Sequence, residues 1–126
     1  MKKKALLNIE IIVTVLFIIM LVTLSVRKVI ILKQEAQRGL SMKNQAALRD
    51  AVAVYRGDNA GRCPADISIL VPDYIDAIPL AYDENGSASN KVKNGAYPQS
   101  FDGKGGWIYT IEGDKDQLCK IFPNTK

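Results

Sequence analysis

Residues 5–26 read Ala-Leu-Leu-Asn-Ile-Glu-Ile-Ile-Val-Thr-Val-Leu-Phe-Ile-Ile-Met-Leu-Val-Thr-Leu-Ser-Val. A run this long and this apolar leaves few choices. It is sufficient to cross a bilayer as a helix, which takes about 20 residues. Within it stands one ionisable side chain, Glu10. A carboxylate inside lipid costs roughly 2.5–3.5 kcal/mol on insertion scales, so it marks a functional position by default. The plainer reading is a carboxylate that snorkels to the headgroups from an ordinary anchor.

The leader Met1-Lys2-Lys3-Lys4 resembles the start of a secretory signal. No small-x-small cleavage site follows at Thr23-Leu24-Ser25-Val26, which points to a retained anchor. A literal positive-inside count is equivocal, because Arg27, Lys28, Lys33, Arg38 and Lys43 crowd the other flank. The tri-lysine leader and the cysteine pair favour a cytoplasmic N-terminus with the remainder exported.

Past Val26 the helix need not stop. Residues 27–56 contain no proline and one glycine, Gly39. Ala36, Leu40, Ala47, Ala51 and Val54 recur at steps that make one helical face, and Leu48, Val52 and Tyr55 widen it. One helix over about 6–56 is expected, roughly 75 Å long. Its first part, 6–26, belongs in lipid. Its amphipathic continuation, 27–56, packs partly on a small head and otherwise needs a partner.

Residues 57–126 form that head. Gly57-Asp58-Asn59-Ala60-Gly61 turns the chain. Asp66 is an N-cap for a short helix through about Val71, Pro72 ends it, and residues 73–79 look extended. Residues 80–106 are rich in Gly, Ser, Asn and Asp, a loop long enough to be either functional or braced. Residues 107–122 read as an antiparallel hairpin: Trp107–Ile111, a Glu112-Gly113-Asp114 turn, then Gln117–Phe122. The fold class is therefore α+β, a long N-terminal helix against a small antiparallel sheet. Trp107, Tyr109 and Ile111 share one side of their strand, as a core face would. The rival reading is a surface aromatic site for carbohydrate.

Charge excludes one function class. Residues 1–55 hold nine basic and three acidic side chains, but residues 56–126 hold eight basic and ten acidic. The head is thus −2 and gives no support for nucleic-acid binding. Its two cysteines, Cys63 and Cys119, cannot make a four-ligand zinc site. Outside the cytoplasm they read as one disulfide, and in a reducing compartment as two thiols. There is no histidine, no nucleophile motif and no phosphate-cradling loop, so nothing marks an enzyme or a cofactor. Asp83 and Glu84, with Asn85 and Ser87, offer oxygens for calcium, though not at EF-hand spacing.

These pieces resemble the type IV pilins and the pseudopilins of type II secretion systems. That family has a basic leader, a small residue, then Phe-Thr-Leu-Ile-Glu opening a long apolar helix. Ala5-Leu6-Leu7-Asn8-Ile9-Glu10 fits that frame, with Ala5 before the cut, Leu6 after it and Glu10 fifth. The run from Cys63-Pro64 to Ile78-Pro79, and Gly106-Trp107-Ile108-Tyr109 with Gly113, are similar to later stretches of the family. The chain departs from it at Ala5 (usually Gly), at Leu6 (usually Phe) and in lacking the proline many members carry near Arg27. The resemblance implies cleavage by a prepilin peptidase and N-methylation of Leu6. It implies assembly with identical or related subunits through Glu10, on an inner-membrane platform. It also implies a periplasmic head. Uncleaved, the same sequence would be a bitopic anchor with a periplasmic binding head.

Overall fold

A computed structural model describes residues 2–125. Its main element is α1 (Lys2–Asp58), followed by a 3-10 helix (Ile67–Leu70) and five short strands. These are β1 (Ala81–Tyr82), β2 (Ala88–Ser89), β3 (Val92–Asn94), β4 (Trp107–Glu112) and β5 (Leu118–Pro123). The architecture is α+β: a long apolar N-terminal helix whose later turns pack on small C-terminal sheets. The chain divides into two compact units, residues 1–35 and residues 36–126.

In the first unit every described residue is helical and exposed. The hydroxyls of the apolar run are satisfied by their own helix. Thr14 Oγ1 donates to Glu10 O, Thr23 Oγ1 to Met20 O and Ser25 Oγ to Leu21 O. Lipid offers no partner for such groups, so this internal bonding is what a span requires. The helix is long and apolar enough to cross a membrane.

In the second unit the core gathers Leu48, Ala51 and Val52 of α1 with Ile67, Leu70, Ala81, Trp107, Tyr109 and Ile121. The expected helical stripe is only half of this face. Leu48, Ala51, Val52 and Tyr55 pack inward, but Leu40 and Val54 remain exposed. The packed face continues instead through polar residues. Ser41 is buried and accepts from Tyr82 N, Gln45 Nε2 donates to Ile121 O, and Asn44 Nδ2 donates to Leu80 O. These side chains tie the helix to the backbone of Leu80, Tyr82 and Ile121.

The hairpin forms as expected, β4 against β5 with Ile108 opposite Phe122 and Tyr109 opposite Ile121. Two details differ from the sequence reading. The sheet is mixed, because β3 joins β4 in parallel at Val92–Trp107. Ile111 lies outside the core, 39% exposed, whereas Ile108 on the opposite face is fully buried. Phe122, opposite Ile108 on β5, shares that second face, and Tyr97 stacks on Phe122 at 4.4 Å with Phe101 edge-on to Tyr97. A three-stranded sheet with cover on both sides buries alternate residues on both faces.

Residues 80–106 are braced rather than open. They contain β1, β2 and β3, and Arg38 reaches Glu84 at 3.9 Å. The segment expected to be extended over residues 73–79 begins in a turn over residues 71–74, where Tyr74 N and Ile75 N both donate to Leu70 O. Asp66 does cap the 3-10 helix, its Oδ1 accepting from Ser68 N at 2.7 Å. Gly106 is a position where only glycine fits. Its φ is +82° and a Cβ would land on the Lys91 carbonyl oxygen, to which Trp107 N donates.

Candidate functional site

Ala5, Leu6 and Glu10 all lie in the first turns of α1 and are exposed. Leu6 and Glu10 are four residues apart, so they share one helical face. Among the described residues Glu10 has no ion-pair partner, and its side chain is the sole ionisable group between Ala5 and Val26. In a bilayer, a charge in that setting would be stabilised by headgroups or by a partner. The peptide between Ala5 and Leu6 has consequences for what that partner could be. With residues 1–5 present, Lys2, Lys3 and Lys4 make up the first turn of α1. If the chain began at Leu6, its amine would sit at the positive end of the helix dipole, beside unpaired backbone N–H groups.

In the head, Cys63 and Cys119 form a disulfide that closes 56 residues of chain. Cys63 N also donates to Gln117 Oε1. The bridge therefore fixes the segment after α1 to the return strand of the hairpin. The aromatic residues of β4 are core, not a sugar-binding surface. Trp107 is fully buried with Nε1 donating to Pro79 O, and the Tyr109 hydroxyl donates to Pro64 O at 2.7 Å. Burial pushes the Tyr109 hydroxyl up to about 12.

Asp83 and Glu84, the calcium candidates, line a cavity of about 200 Å³ with Asp102. Several of the oxygens there are engaged by protein donors. Asp83 Oδ1 accepts from Ser87 N. Asp102 Oδ1 accepts from Asn124 Nδ2 and Lys104 N, and Oδ2 from Lys93 Nζ. Among the described residues no group of three acidic, histidine or cysteine side chains is arranged to hold a metal ion.

Asn124 is a structural residue the sequence did not flag. It is buried, its amide donates to Asp102 and Gly105 O, and its Oδ1 accepts from Asp102 N and Gly103 N. A single asparagine near the end of the chain carries no pattern, so only the fold reveals it. The Asn124 amide, with Lys104 N–H and Lys93, lowers the Asp102 carboxyl from 3.8 to about 2. A depressed folded-state value contributes stability that is present above the unfolded value and is lost as pH falls towards 2. The melting temperature of the wild type should therefore fall between pH 4 and pH 2 more steeply than that of Asp102→Asn. Parallel slopes in the two proteins would contradict this.

No protein-family model, curated protein or solved structure matches the chain.

Proposed function

We propose that the chain is a structural subunit of a type IV pilus-like or type II secretion filament. In this reading it is a pilin or pseudopilin, not an enzyme. The observation that carries it is Glu10, a lone carboxylate in a span of exposed apolar helix, fifth after a small residue that follows a tri-lysine leader. A prepilin peptidase would cut between Ala5 and Leu6 on the cytoplasmic side. Side-chain charge then falls from +4 to +1, because Lys2, Lys3 and Lys4 leave. The Leu6 amine, N-methylated, becomes a cation at the membrane edge. Glu10 of one subunit pairs with the Leu6 amine of its neighbour as the span moves from lipid into a bundle of identical or related helices.

This pairing makes physical sense of an otherwise costly residue. In a low-dielectric bundle an unpartnered charge costs about 3–5 kcal/mol, whereas the pair sets axial register. The head would lie in the periplasm, where an oxidising environment maintains the Cys63–Cys119 bridge. The other reading, an uncleaved anchor with a periplasmic binding head, uses the same span but gives Glu10 no partner. The two differ at the mature N-terminus: Leu6 for a filament subunit, Met1 for an anchor.

A further inference from the structure

We infer that the groove between the later turns of α1 and residues 72–76 is a self-docking site. It would receive the basic helical face Arg27–Ile30–Lys33 of a second copy of this chain. The inference rests on the filament reading and names a second contact within it.

The groove has a volume of about 500 Å³. Ala47, Ala51 and Val54 line it from the helix. Val54 is 58% exposed, so the head leaves this part of α1 uncovered. Three carboxylates flank the apolar floor: Asp50 on the helix wall, Asp73 and Asp76 on the opposite wall. All three are exposed, and among the described residues no cation forms an ion pair with them. An apolar trough with acidic walls on both sides selects a ligand that is apolar in the middle and basic at its edges.

The chain carries a segment of that kind. Arg27, Ile30 and Lys33 recur at steps of three, which places them on one side of α1. Ile30 is more than half exposed, and neither Arg27 nor Lys33 forms an ion pair among the described residues. The two cations stand about 9 Å apart along the axis, one helical turn or so on either side of the isoleucine. Ile30 would enter the groove beside Val54, with Arg27 and Lys33 against the carboxylates. The net charges of the two partners agree: the head is negative, and the helix beyond the span is positive. Rim charges of this kind fix register and exclude wrong partners more than they add affinity.

The test uses the full chain in cells, with a photoreactive benzoyl-phenylalanine at position 54. The expected product is a cross-linked homodimer whose joined peptide contains Ile30. In that background Asp50→Lys with Asp76→Lys should cut the yield about tenfold, equivalent to about 1.4 kcal/mol. Adding Arg27→Glu and Lys33→Glu should restore it. Retention of the Cys63–Cys119 bridge verifies folding in each variant. A homodimer joined elsewhere, a product with an unrelated protein only, or no product overturns the inference. The same photoreactive residue at position 12, inside the span, separates the two readings. A ladder from position 12 without the position 54 product rejects the groove and leaves the filament reading standing. Loss of both rejects both.

Discussion

Glu10→Ala is expected to insert into the membrane as the wild type does and to form no filament. The substitution removes the one charge from the span, so insertion becomes easier rather than harder. Assembly suffers for the opposite reason. Each neighbour would bring a Leu6 amine into the bundle with no carboxylate to meet it, and a stranded charge costs about 3–5 kcal/mol. Repeated at every subunit contact, that penalty is prohibitive for a polymer. Cross-linking in cells, read as a ladder of multiples, is the measurement. Glu10→Gln should fail as well, because the amide keeps the shape but not the charge. Normal ladders from either variant would contradict the pairing.

The second large effect lies in the head. Reducing the Cys63–Cys119 bridge, or replacing both cysteines by serine, should destabilise it by about 4 kcal/mol, as expected for a closed loop of 56 residues. Domains of this size have only about 3–5 kcal/mol from their core. The expected outcome is therefore a head that melts about 15–30 °C lower, or does not fold at body temperature. Thermal unfolding of the full chain in detergent, with and without reductant, measures it. The sheet should report the change, because Cys119 stands on β5 opposite Ile111. The apolar span should not, because its helix is held by local hydrogen bonds. Melting curves that coincide would show the bridge to be dispensable.

The elements legible in the sequence were those with a local physical cause. The long helix follows from an unbroken apolar run and the absence of proline in residues 5–56, and it ends at Asp58, beside the glycines that break it. The Asp66 cap follows from side-chain chemistry, and the hairpin from β-branched and aromatic residues around Gly113. Features set by tertiary contact were not legible. The helix face that packs on the head runs through Ser41, Asn44 and Gln45, whose hydrogen bonds go to loop and strand backbone 36 to 76 residues away. A count of apolar residues passes over them and selects Leu40 and Val54, which stay exposed. Likewise Ile111 follows the alternation of its strand, yet it is exposed rather than part of the core. The parallel addition of β3 depends on Gly106, whose special backbone allows Trp107 N to reach Lys91 O.

At the candidate site, Glu10 is conspicuous in the sequence as a charge in an apolar run. Among the described residues no element of a single copy forms an ion pair with Glu10. The Asp102–Asn124 network was invisible for the reverse reason: ordinary residues in a polar stretch, brought together by the fold.

In the filament reading, Ala5–Leu6 is a cleavage site and Glu10 the assembly residue behind it. The most direct test is the N-terminal sequence and intact mass of the protein recovered from membranes of cells that contain a prepilin peptidase. The filament account predicts a chain that begins at Leu6, carries one additional methyl group on its amine and has lost all three leader lysines. A chain that begins at Met1 with Lys2, Lys3 and Lys4 intact would contradict it.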